Sequence, residues 1–128
     1  MADLQFEALG PTFYRCTIEI ADSTYSSGVI FDCPLDDEKT KRALQAVGAA
    51  FAFVQQKEPS LLHAEVAAEL PCEADRNMFV RCELSSLSAV WDSEANAPSV
   101  SLAYGFDDGV YAVATMKDST IASVLLNG

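Results

Sequence analysis

The stretch DDEKTKRALQAVGAAFAFVQQK, residues 36–57, is where the chain changes period. Leu44, Val47, Phe51 and Val54 recur at helical spacing, joined by Ala43, Ala50 and Phe53. Lys39, Lys41, Arg42, Gln45, Gln55 and Gln56 fill the opposite, wet side. Asp36 and Asp37, just after Pro34, suit an N-cap and a first turn. A carboxylate there satisfies free N–H groups and meets the positive end of the helix dipole. These features predict a helix over about 36–57. A second helix, 59–70, starts at Glu58-Pro59-Ser60, since proline is tolerated in a first turn. Leu62, Val66 and Leu70 make its stripe, and Pro71 ends it.

On both sides of this helical block the period is two. Leu4, Phe6 and Ala8 oppose Asp3, Gln5 and Glu7 within 3–9. Tyr14, Cys16, Ile18 and Ile20 oppose Arg15, Thr17 and Glu19 within 12–20. Residues 21–27 are small and polar and read as a turn; Val29, Phe31 and Cys33 then stand in phase in a third strand, 28–33. Downstream, Met78, Val80, Cys82 and Leu84 oppose Phe79, Arg81 and Glu83, and Leu87, Ala89 and Trp91 form a further short piece. After a polar loop at 92–98, Val100, Leu102, Tyr104 and Phe106 oppose Ser99, Ser101 and Ala103. Asp107-Asp108-Gly109 is a hairpin turn, because glycine supplies the positive φ such turns need. Strands at 110–116 and 119–126 close the chain. Val113, Val124 and Leu126 break their two-faced pattern, as strands covered on both sides or packed at an oligomer interface would. Hairpin-length links imply antiparallel pairing within each half. The expected fold is α+β, with one domain over 1–128. It is a single antiparallel β-sheet of six to seven strands with two helices on one face, in the order βββ-αα-ββββ.

With 128 residues, half of them apolar, the chain can bury a core without disulfides or metal. Eight basic and 19 acidic residues give a net charge of −11. That excludes a general nucleic-acid binder, which needs a basic face for phosphates, and disfavours docking on anionic membranes. The charge is uneven: residues 39–57 carry +4 and the rest of the chain −15. One effect is solubility. The functional effect is attraction of a basic partner protein, whose encounter an acidic field speeds. The basic helix can also pair with an acidic patch on a second copy, which makes a homodimer an alternative. The N-terminus has neither a basic start nor a long apolar run, and the apolar stretch 43–54 is too short to span a bilayer. The expected compartment is the cytoplasm.

No short motif for nucleotide binding, serine hydrolysis or zinc peptidase chemistry is present. Cysteines stand at 16, 33, 72 and 82 without a C-x-x-C spacing, and His63 is the one histidine, so neither a metal nor a cofactor is expected. Cys16, Cys33 and Cys82 fall on apolar strand phases, where a free thiol acts as a small hydrophobe. Cys72 falls in a loop and is the thiol placed to react. A nucleophilic pair of Cys72 with His63 is disfavoured by about 12 Å of helical rise between them, at ~1.5 Å per residue. Carboxylates cluster at Asp36-Asp37-Glu38, at Asp92 with Glu94, and at Asp107-Asp108. The first set is accounted for by capping; only fragments of a calcium loop are present. Trp91 and Tyr104 lie near polar loops, where an exposed aromatic anchors partners. Phe13 and Phe79 fall on polar strand phases and point to a second buried face or an exposed contact patch.

The strand–helix–strand order, the lone Trp91 after the helical part and the closing hairpins SVSLAYGFDDGVYAVATMKDSTIASVLLNG carry a resemblance over most of the chain. In layout it resembles the small acidic bacterial immunity proteins of contact-dependent and polymorphic toxin systems. No diagnostic motif accompanies the likeness, so no functional residue is carried over. The resemblance implies a non-enzymatic protein that blocks a basic toxin domain by covering its active site or holding it inactive. The expected partner-binding residues are Trp91, Asp92, Glu94, Asp107 and Asp108, on loops placed at one edge of the sheet. The alternatives are a secretion-chaperone-like protein that wraps part of an effector, and a small enzyme without a short motif.

Overall fold

The structure, a computed structural model, describes residues 5–106, 109–117 and 120–126. Three strands come first: β1 (Glu7–Ala8), β2 (Phe13–Ile20) and β3 (Ser23–Phe31). Three helices follow: α1 (Asp37–Gln56), α2 (Pro59–Ala68) and α3 (Glu73–Phe79). The chain closes with β4 (Glu83–Asp92), β5 (Ala97–Phe106), β6 (Gly109–Lys117) and β7 (Thr120–Leu126). The class is α+β, as the periodicity predicts.

The sheet is seven-stranded and its spatial order follows the chain, β1 to β7. It is not purely antiparallel. β3 and β4 pair in parallel, with Val29 beside Ala89, Ile30 beside Val90 and Phe31 beside Trp91. The reason is the connection: residues 32–82 cross over the sheet and return to the end where β3 began, as a parallel pair requires. Periodicity within each half carries no information about how the halves join.

α1 begins at Asp36, whose side chain accepts a 2.8 Å hydrogen bond from the Lys39 amide. Its buried residues are Ala43, Val47, Phe51 and Val54, and those of α2 are Leu62 and Val66. They form one cluster with the inward phase of the strands: Cys16, Ile18 and Ile20 of β2, Val29 and Phe31 of β3, Leu87, Ala89 and Trp91 of β4. Val100, Leu102 and Tyr104 of β5, Ala112, Ala114 and Met116 of β6, and Leu70, Phe79 and Cys82 complete it. A fully buried Leu, Val or Phe contributes about 1.5–3 kcal/mol relative to exposure, so this one-sided layer carries the fold.

Three expectations change locally. Residues 21–27 are not a long turn. Ile20 pairs with Ser23, so β2 and β3 meet in the two-residue hairpin Ala21-Asp22, with Ala21 at φ 54°. Ser23 to Ser27 belong to β3, and Ser27 is fully buried, its hydroxyl without a partner among the described residues. Cys33 lies beyond β3 and is exposed; Cys16 and Cys82 are buried as expected. The third change is α3, where a strand over 78–84 is expected from alternation. The alternation of Met78, Val80, Cys82 and Leu84 spans a helix end, a turn and a strand start. Phe79 is fully buried, whereas Met78 and Val80 are exposed, the reverse of the strand phase. At β5, Gly105 is required: a Cβ there would run into the Gly109 carbonyl oxygen where the ladder to β6 shifts register.

The helical placement of Phe79 has a measurable consequence. Phe79→Ala should lower unfolding free energy by about 3–5 kcal/mol, the cost of emptying a large core site. Val80→Ser should change it by less than about 0.5 kcal/mol. Urea denaturation of both variants checks this; equal and small effects would return the segment to a half-exposed strand.

Candidate functional site

All of the buried strand residues named above share one face of the sheet. On the opposite phase no described residue of β2, β3, β4, β6 or β7 is buried. This face carries small polar side chains over most of its area, among them Thr17, Ser26, Ser86, Ser88, Ser101 and Thr115. One row differs. Phe13 pairs with Ile30, and Ile30 with Val90. The Leu9 amide donates to the Phe13 carbonyl at 2.9 Å, which continues the β1–β2 ladder and sets Leu9 opposite Phe13. Directly paired residues share a face, so Phe13, Ile30 and Val90 stand in line across β2, β3 and β4, with Leu9, just past β1, beside Phe13. Their exposures are 49% for Leu9, 42% for Phe13, 48% for Ile30 and 42% for Val90. The Phe13 ring leans over Gly28, 3.6 Å from where a Cβ would stand, and the missing side chain gives the ring its seat. The next row is charged and self-paired: Arg15 binds Glu7 at 2.9 Å.

The end of the sheet nearest this row holds several carboxylates, each oriented by local geometry. Asp92 follows Val90 on the same phase, and its Oδ1 accepts from the amides of Glu94 (2.9 Å) and Ala95 (3.3 Å). Asp32, just past β3, accepts from the Ser93 hydroxyl at 2.7 Å and the Ser93 amide at 3.0 Å. The Ser93 hydroxyl and then its amide hold the Asp32 carboxyl below the usual range for aspartate. Asp36 caps α1 at the same end, with Asp37 and Glu38 in its first turn. Glu38 pairs with Arg42 at 3.1 Å. The Cys33 thiol sits 3.3 Å from the Ser93 hydroxyl.

The expected binding residues divide. Asp92 and Glu94 are exposed at the β4–β5 turn, beside the apolar row. Trp91 is 6% exposed and faces the helices, with its ring 6.5 Å from that of Phe31, so it offers no contact surface. Asp107 and Asp108 lie outside the described residues. Their flanking residues Phe106 and Gly109 pair at the end of β5 opposite Ala97, roughly 30 Å from the Asp92 turn at ~3.4 Å per residue. Phe13, flagged by its phase, is exposed on the open face. Leu9, Ile30 and Val90 were missed; Ile30 and Val90 could have been found by asking which apolar residues fall opposite Val29 and Ala89.

His63 meets the Phe79 carbonyl through Nε2 at 2.9 Å and its ring lies 4.3 Å from that of Phe79. Cys72 is exposed at the start of α3. Burial pushes the Cys16 thiol up to about 11 and raises that of Cys82. Among the described residues no group of three metal-ligating side chains comes together, and no helix is long and apolar enough to cross a membrane. β7 ends the sheet with seven residues and no charged side chain, and Leu125 on it is 69% exposed. No family model, curated protein or solved structure matches the chain.

Two measurements test this geometry. DTNB should titrate two thiols in the native protein, Cys33 and Cys72, and four in denaturant; four reactive native thiols would contradict the burial of Cys16 and Cys82. A carboxylate whose pKa is depressed by folding adds stability above its unfolded value, near 3.8 for Asp32, and loses it as pH falls through the folded value. The stability gap between the native protein and Asp32→Asn should thus be full at neutral pH and shrink below about pH 3.8. A gap constant from pH 7 to pH 3 would remove the Asp32–Ser93 bond as its cause.

Proposed function

We propose that the chain is a non-enzymatic protein-binding domain that receives a basic partner on its open sheet face. In its sharpest form it is an immunity-type protein that neutralises a toxin domain. The observation that carries this reading is the Leu9–Phe13–Ile30–Val90 row. An apolar centre bordered by charge is the common anatomy of a protein interface, and aromatic side chains concentrate its energy. Asp92 and Glu94 supply the charge at one end, and the net charge of −11 supplies the long-range attraction. A toxin that acts on nucleic acid must hold phosphates in a positive cleft, and such a cleft is the surface this face and its acidic end complement.

The layout argues against the secretion-chaperone alternative. There the unfolded segment needs long apolar grooves; here the exposed row crosses three strands and meets Ser99 beyond Val90.

The proposal expects a basic toxin domain to be encoded beside this chain's gene, and the absence of one would count against it; that domain is the probe. Calorimetry should show one-to-one association that weakens as salt rises, and the toxin's activity should fall in parallel. Phe13→Asp should weaken binding about 30-fold, the loss of roughly 2 kcal/mol typical of a central anchor. Phe13 is partly exposed, so the variant should keep the native circular dichroism. Absence of association at low ionic strength would overturn the proposal, as would binding indifferent to Phe13→Asp and Val90→Asp together.

A further inference from the structure

A second feature lies on the helix-covered side, away from the open face. A cavity of about 280 Å³ opens between the ends of α1 and α2 and the start of β4. Its walls are Ile20, Val54, Leu62, His63, Leu84 and Tyr104. For scale, an apolar cavity of roughly 150 Å³ takes up benzene.

Tyr104 is the unusual member. The residue is 3% exposed, yet its hydroxyl has no hydrogen-bond partner among the described residues. Buried polar groups are ordinarily satisfied. Nor is this hydroxyl sealed off: among the described residues, Ser27 Oγ alone is both enclosed and unpartnered. The Tyr104 hydroxyl therefore opens on the space its residue lines. Its neighbours do not engage it. The Tyr25 hydroxyl donates to the Leu84 carbonyl at 3.1 Å, and His63 Nε2 is taken by the Phe79 carbonyl. The His63 ring meets Tyr104 edge-on at 5.7 Å, and Phe79, behind the wall, meets it edge-on at 5.0 Å, so the Tyr104 ring is held in place by aromatic contacts on this side. Burial, and secondarily Tyr25, push the Tyr104 phenol up, so it is a neutral donor at physiological pH. At the mouth, Lys57 is paired with Glu65 at 2.6 Å, and Glu83 stands alongside. Neither arrangement welcomes an anion.

We propose that this cavity is a binding site for a small, planar, uncharged molecule bearing one oxygen that hydrogen-bonds to Tyr104, a ligand of the phenol class. The apolar walls take the ring, and the Tyr104 hydroxyl, which can both donate and accept, fixes its orientation.

Phenol and toluene, matched in size, are the probes, titrated into the full chain and followed by amide chemical shifts. Phenol should bind saturably at roughly millimolar concentration or tighter, a strength within reach of seven heavy atoms. The shifts should centre on Ile20, Leu62, His63 and Leu84. Tyr104→Phe deletes one oxygen and should weaken phenol by about fivefold, the net worth of a neutral hydrogen bond, while leaving toluene unchanged. Leu84→Trp should fill the cavity and abolish both. Shifts that rise linearly without saturation, shifts centred outside the cavity, or phenol affinity unaltered by Tyr104→Phe would each overturn the proposal. None of these outcomes touches binding at the open face, which Phe13→Asp reports separately.

Discussion

The packing of α1 on the inner face of the sheet is the contact that makes one sheet out of two. β2 and β3 form a local hairpin, and β4 to β7 form a local meander. Only the β3–β4 pair joins them, through three paired positions. Parallel strands are stable where a layer covers them. α1 supplies that cover by touching β2, β4 and β5 at once. Val47 and Phe51 of its stripe are both fully buried. Without that stripe, the junction would be a short parallel seam open to water, and the two hairpin systems would have little to hold them in line.

Most elements were legible because they bury one face each. From Tyr14 onward β2 alternates cleanly, so Cys16, Ile18 and Ile20 declare the core. α1 has both its cap and its stripe in the sequence. What stayed hidden has physical causes. α3 is seven residues, about two turns, too short for a 3.6 period to stand out against an accidental period of two. Its burial rests on Phe79 alone. The first half of β3 carries Ser23, Thr24, Ser26 and Ser27, so composition says turn while the ladder to β2 says strand. The parallel junction is long-range, and no local pattern encodes it.

The open face was half legible. Phe13 stands out because an aromatic on a polar phase has no local excuse. Leu9 carries no phase at all, since it sits where the chain turns into β2. Charge singles out Asp92 and Glu94, and the fold sets them beside a patch that charge alone does not reveal. The same reasoning failed for Trp91. Its size suggested an anchor, but its phase, shared with Leu87 and Ala89, already assigned it to the core.

The apolar row and the net charge constrain each other. Four exposed apolar side chains in line would ordinarily invite a second copy, because such rows are also how sheets stick together. Two copies that each carry −11 repel as they approach, and the carboxylates of Asp92 and Glu94 sit where that repulsion acts at short range. A partner of opposite charge meets no such barrier; the field that keeps like copies apart draws it in. On the proposed reading, the surplus of carboxylates therefore does two things at once. It lets the face remain apolar without self-association, and it selects by charge which protein is permitted to cover it.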